Sequence, residues 1–173
     1  EAGYTTGALA HYFQTKDQVL IEASEYTANL IRDRMRRQER ERSGVDALKH
    51  VVYEALPMTP EMRGMWNFRL GFWDRASHDK TVQATIESRY REWHRRIARI
   101  IRKAQALEEL APEIDPMRVA QSIVSLVDGI GVRVLLTGVR IPAKRQQDLV
   151  DELVDNLPRP ASMKRASAAK DRR

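Results

Sequence analysis

A chain of 173 residues, 42% hydrophobic and 31% charged, is long enough to bury a core and too apolar to stay disordered. It has no cysteine, which excludes disulfides and thiolate metal sites and fits a reducing, cytoplasmic setting. The net charge of +6 sits at one end: residues 158–173 hold six basic groups against one acidic, whereas residues 1–42 hold seven of each.

The first element, over 2–20, reads as a glycine turn at Gly3, a short helix and the start of a second helix. So short a helix is marginal alone. It displays small and polar groups, Thr5, Thr6, Gly7, Ala8, Ala10 and His11, which suit the major groove of double-stranded DNA. Thr15 and Gln18 form a capping box for the next helix, whose Val19, Ala23, Tyr26 and Leu30 make a narrow apolar stripe. Its end, Arg32 to Arg42, mixes both signs and reads as solvated, with Asp33 and Arg37 spaced as an ion pair. Ser43 and Gly44 punctuate it.

A helix over about 46–56 follows, with Ala47, Leu48, Val51, Val52 and Ala55 on one face and Pro57 as its stop. Thr59 caps the next, with Pro60 at its first position. That helix, to about Ala76, carries Met62, Met65, Trp66, Leu70 and Trp73 on a broad face with Phe68 and Phe72 beside it. Gly64 and Gly71 lie opposite Met62, where a second backbone has room to approach. From Asp79 to about Leu107 runs the longest pattern: Val82, Ile86, Tyr90, Trp93, Ile97, Ile100, Ala104 and Leu107. At 1.5 Å per residue it spans roughly 42 Å. Its other face, with Arg89, Arg91, Arg95, Arg96, Arg99, Arg102 and Lys103, reads as solvated.

After the linker 111–116, Asp115 caps and Pro116 opens a helix ending near Thr137 and Gly138. Its apolar residues, including Ile123, Val127, Ile130 and Val134, cover more than one face. Gly129 and Gly131 each cost it about 1 kcal/mol relative to Ala, which close helix crossing would offset. Past Pro142, Leu149, Val150, Leu153, Val154 and Leu157 make a last amphipathic helix. Residues 158–173 form a basic tail expected to be disordered. The fold class is all-α.

Enzyme chemistry finds no support. The histidines His11, His50, His78 and His94 are scattered, without metal-ligand spacing. No phosphate loop, nucleophile elbow or cysteine nucleophile is present, so neither catalysis nor a cofactor or metal is expected. No apolar run of about 18 residues and no leader segment appears, so no membrane association is expected.

Gly3, Gly7, Leu9, His11, Tyr12, Phe13, Lys16 and Leu20 resemble the signature A-G-x-(S/T)-x-G-x-L-x-H-Y-F-x-(S/T)-K-x-x-L. It closes the helix-turn-helix of the TetR family of bacterial transcriptional regulators. Ala10 departs from the tyrosine that family members often carry there. The resemblance implies a recognition helix over Thr5–Tyr12, in a DNA-binding remnant of residues 1–24. It also implies an all-helical ligand-binding and dimerisation domain over 25–157. Thr5, Thr6 and Ala8 would face bases, and the Gly7 backbone, Tyr12 and Lys16 would face phosphates. Tyr12 serves equally well as core, and Phe13 is core. The family's first helix and most of its second would precede Glu1, and the absence of an initiator Met is expected of an N-terminally truncated chain.

Trp66 through Trp93 to Asp128-Gly129 is similar to the betaine-regulator (BetI-like) type of C-terminal domain. The resemblance implies a homodimer through the last two helices, with Ile123, Val127, Ile130, Val134, Leu149, Leu153 and Leu157 at its interface. It also implies a small-molecule effector among Met62, Trp66, Phe72, Trp73, Tyr90, Trp93 and Asp128, where Met58 also concentrates. A simply packed core is the competing reading of these residues. Aromatic rings with Asp74 or Asp128 suit a cationic ligand; a hydrophobic acyl or polycyclic ligand suits the same residues. The expected function is a ligand-responsive, one-component regulator, a repressor released from its operator by the effector. The alternative is a dimeric helical ligand-binding or interaction module without DNA binding.

Overall fold

The structure, a computed structural model, describes residues 16–137 and 140–160. The reading helix 5–12, Thr15 of the capping box, Gly138 and residues 161–173 lie outside them, as does the side chain of Gln18. Six helices follow one another: α1 (Lys16–Glu41), α2 (Gly44–Tyr53), α3 (Pro60–Ala76), α4 (Lys80–Ala106), α5 (Pro116–Leu136) and α6 (Ala143–Asp155). No strand occurs among the described residues. Helix α4 runs through the middle and packs on α5, α2 and α3, while α6 closes the far side against α2 and α5.

The helix starts follow local chemistry. Thr59 Oγ1 accepts from Met62 N at 3.2 Å ahead of Pro60. Asp79 accepts from Thr81 N at 2.8 Å, and Asp115 from Met117 N at 2.8 Å. Each satisfies an otherwise orphaned amide. The start of α2 is different. Ser43 makes no side-chain cap; instead Glu109, from the loop after α4, accepts from Val45 N at 2.6 Å. Gly44 has φ +57°, and a Cβ there would fall 1.9 Å from the Glu109 carboxylate. Only glycine satisfies both demands.

Leu48, Val51, Val52, Leu56, Ile97, Ile101, Ile123 and Val127 form the centre of the core. Several expectations are corrected here. Tyr26 is 66% exposed, because α1 turns a different stripe inward. That stripe is Arg32, Met35 and Glu39, so the run 32–42 is not simply solvated. Met35 is buried; Arg32 meets Glu92 at 3.1 Å and Glu39 meets Arg96 at 3.2 Å. The basic face of α4 is correspondingly divided: Arg89 and Arg96 point at α1 carboxylates, and Arg91 and Arg95 at solvent. Asp33 pairs with Arg36 at 2.9 Å, and Arg37 with Glu41 at 2.7 Å, not with each other. Leu107 is exposed because Glu108, at φ +58°, turns the chain and delivers Leu110 to the core instead.

The glycines also separate. A Cβ on Gly64, Gly71 or Gly129 would meet nothing within 4 Å, so among the described residues no second backbone approaches them. Gly131 is covered, but by the Trp66 ring and not by a crossing helix. By length and composition α5 could cross a membrane, yet Ala120, Ile123, Val124, Val127 and Ile130 are buried in the core. Residues 158–160, the described start of the tail, lie against the α4–α5 loop. There Ala111 N donates to Pro158 O at 2.9 Å and Arg159 donates to Glu109 O at 2.8 Å.

Candidate ligand-binding site

Trp66, Arg69 and Trp73 recur at i, i+3 and i+7 along α3, so they share one face of the helix. Trp66 anchors it: the indole is 2% exposed and its N–H donates to Ala55 O at 2.8 Å. Trp73 stands edge-on to Trp66 with centroids 6.0 Å apart, and Tyr90 of α4 stacks on Trp73 at 6.5 Å. Three rings thus surround one point. The Arg69 guanidinium occupies it, with its carbon 4.6 Å from the Trp66 ring, 4.9 Å from Trp73 and 5.6 Å from Tyr90. Ring faces are negative in their quadrupole, which makes the arrangement a cation cage.

Asp128 of α5 supplies the counter-charge. Arg69 Nη2 donates to Asp128 Oδ1 at 2.9 Å and to the Tyr90 oxygen at 3.2 Å. Tyr90 in turn donates its hydroxyl proton to Asp128 Oδ2 at 2.6 Å. Burial pushes the Asp128 carboxyl above its ordinary value, against the opposing pull of Arg69 and the Tyr90 hydrogen bond. Burial also pushes the Tyr90 phenol up. Tyr90 therefore stays a proton donor at neutral pH.

Beside the cage lies a cavity of about 180 Å³, walled by α1, α3 and α4. Trp66, Phe72, Trp73, Tyr90 and Trp93 line it, together with Arg69. Met62 does not: it is buried at the start of α3, where its sulfur accepts from Arg34 at 3.3 Å. Asp128 lies behind Arg69 instead of on the wall, and Asp74 is exposed and does not line the cavity. The remaining wall arginines are each matched by a carboxylate: Arg32 and Arg89 by Glu25, and Arg96 by Glu39. The lining is therefore apolar with neutralised charge, suited to a small ligand with few polar groups. No group of three or more metal-ligating side chains occurs among the described residues.

Arg69 was not anticipated from the sequence, although its spacing from Trp66 and Trp73 placed it between two indoles. Of the residues expected at a dimer interface, Ile123, Val127 and Ile130 are buried inside the chain and have no area left for a partner. Val134, Leu149, Leu153 and Leu157 keep part of theirs exposed. Thr5, Thr6, Gly7, Ala8 and Tyr12 lie outside the described residues; Lys16 opens α1, with its side chain outside them as well.

A family profile described as the C-terminal domain of BetI-type transcriptional repressors matches residues 44–159. This chain belongs to the TetR family, with a BetI-type C-terminal domain. It is 25% identical to the HTH-type transcriptional regulator BetI of Agrobacterium fabrum over 162 residues, covering 90% of this chain and 73% of that protein. It is 23% identical to the regulator PksA of Bacillus subtilis, covering 91% of this chain and 76% of that one. Among solved structures, a regulator from Saccharomonospora viridis in complex with choline has the same fold. The TM-score is 0.81 at 20% identity, over 90% of this chain and 81% of that one. A TetR-family structure from Rhodococcus gives 0.76 at 21%, over 90% and 82%. The TetR fold and regulator function anticipated from residues 2–20 therefore hold, in a family of transcriptional regulators and not of enzymes.

Proposed function

We propose that this chain acts as a homodimeric repressor whose effector, a small organic cation of the quaternary ammonium type, enters the cavity beside the aromatic cage. One observation carries the reading: Trp66, Trp73 and Tyr90 surround a cation position backed by the Asp128 carboxylate, beside a cavity of about 180 Å³ that the same rings line. The regulator from Saccharomonospora viridis, of the same fold, was solved with choline, a ligand of that chemistry.

The cavity also suggests how occupancy reaches DNA. Thr27, Ala28, Ile31 and Met35 of α1 form one wall, and α1, which Lys16 opens, follows in the sequence on the reading segment that contains Thr5, Thr6, Gly7, Ala8 and Tyr12. A ligand that favours one placement of α1 shifts the population of DNA-binding conformations by its differential affinity alone, about tenfold per 1.4 kcal/mol. Dimerisation supplies the two-fold symmetry that paired half-sites need. Leu136, 66% exposed, and the open position at Gly129 lie on α5, Leu149 and Leu153 lie on α6, and Leu157 follows just after it. Together they offer the apolar face for it.

The test is an electrophoretic mobility shift on the promoter region of the encoding gene, with the gene's whole product. Retardation at low salt that choline reverses is the expected result. No retardation overturns the repressor reading. Retardation untouched by choline, in a protein whose tryptophan fluorescence choline also leaves unchanged, overturns the ammonium reading.

A further inference from the structure

We infer that Arg69 is the resident cation of the cage, and that it sets specificity by making every effector compete with the chain's own guanidinium. The inference rests on the proposed cation site and concerns how that site is regulated. Arg69 is already where a ligand cation belongs, within 5.6 Å of three ring centroids and 2.9 Å from Asp128. Its side chain is 31% exposed, and it stands on the wall of the adjoining cavity. The guanidinium therefore has both a solvated edge and an open space into which it can swing. Trp66 has neither, being fixed by Ala55 and closed in by Gly131.

Two consequences follow for recognition. An incoming ammonium group replaces Arg69 over the rings and inherits Asp128, so charge is conserved in the cage. A neutral isostere of the same shape expels Arg69 without replacing its charge, leaving a half-buried carboxylate held by Tyr90 alone. That penalty excludes it. The resident cation thus discriminates by charge before shape is tested. It also lowers the apparent affinity, because the empty cage is a minor state.

The experiment titrates choline, and separately its uncharged carbon isostere 3,3-dimethylbutan-1-ol, into the wild-type chain, R69M and R69K. Intrinsic tryptophan fluorescence is the readout. R69M keeps an aliphatic stem over the indoles, and circular dichroism verifies its helix content. Choline is expected to bind R69M about tenfold more tightly than wild type, the worth of one displaced, partly desolvated cation–π contact. R69K, which retains a competing charge, is expected to stay closer to wild type, and the isostere to bind wild type more weakly than choline. Choline binding to wild type that R69M leaves unchanged or weakens overturns the competition while the cation site stands. Equal tightening in R69K and R69M overturns it too. No choline binding by any of the three overturns the cation site and the inference together.

Discussion

Gly131 offers the sharpest test of how the cage is built. A Cβ at this position would lie 2.2 Å from Cζ3 of Trp66, 2.3 Å from Cη2 and 2.5 Å from Cε3, where ordinary contact begins at 3.4 Å. The indole has nowhere to retreat, being held by Ala55 at 2.8 Å on one side and by Trp73 at 6.0 Å on another. Overpacking of this kind costs about 1–3 kcal/mol, and a broken indole hydrogen bond about 1 more. The gain in helix propensity from Gly to Ala returns about 1 kcal/mol. Gly131→Ala should therefore destabilise the chain by about 1–3 kcal/mol, a fall in Tm of roughly 3–10 °C for a domain of this size. Thermal unfolding followed by far-ultraviolet circular dichroism measures it, and a shifted tryptophan emission should accompany the loss. Gly129→Ala, two residues away, meets nothing within 4 Å in the single chain, so in the monomer it should raise Tm by roughly 2–4 °C through propensity alone. A Gly131→Ala chain as stable as wild type, with unchanged emission, would refute this account of the Trp66 position.

Thr59→Ala removes the cap on Met62 N and is expected to lower stability by about 1 kcal/mol, read as a lower midpoint in urea with unchanged slope. Glu39→Gln strips the carboxylate from between Arg96 and Arg99. With Glu39 and Arg96 both largely buried, a loss of about 1–3 kcal/mol is expected, larger than for removing the exposed Asp33 partner of Arg36. The Glu25 carboxyl is held below its ordinary 4.5 chiefly by the Arg89 hydrogen bond. It therefore contributes stability that is present above pH 4.5 and lost as pH falls through its lowered folded value. Glu25→Gln should lower stability at neutral and alkaline pH by a constant amount and flatten the acid limb of a stability–pH profile, so that the variant and wild type converge in acid. Leu153→Glu, on the partly exposed face of α6, is expected to convert a dimer to a monomer in sedimentation velocity, with helix content preserved.

The helix starts were legible because their causes are local. Thr59-Pro60, Asp79 and Asp115-Pro116 cap within three residues, and a linear reading finds them. The start of α2 was only half legible: Gly44 announces a break, but its cap is Glu109, far along the chain. The charged faces misled for the same physical reason. Arg32, Glu39, Arg89 and Arg96 look solvated on either helix alone and become an interior seam only when α1 lies on α4. Periodicity along α5 shows apolar residues on several faces but not whose core each one enters. Hence Ile123, Val127 and Ile130 belong to the chain's own interior. The cage was half visible: its rings and Asp128 stood out by residue type, whereas Arg69 lay hidden among ordinary helix arginines. Its i, i+3, i+7 spacing with Trp66 and Trp73 put it on their face, but only the fold brings Tyr90 and Asp128 to it.

Helix α1 is 26 residues long, and the cavity touches it only from Thr27 to Met35. The part N-terminal to the cavity continues as a helical arm, tied to α4 where Glu25 meets Arg89 at 2.7 Å. From Met35 to Lys16 the arm measures roughly 28 Å at 1.5 Å per residue. A tilt of about 5° around Met35 carries its tip through roughly 2.5 Å on that length. In a symmetric pair the two tips add, and the separation changes by roughly 5 Å, set against about 34 Å for one turn of the double helix. On the proposed function, a shift of about an ångström at the cavity wall would become a misfit of about one and a half base steps at the groove.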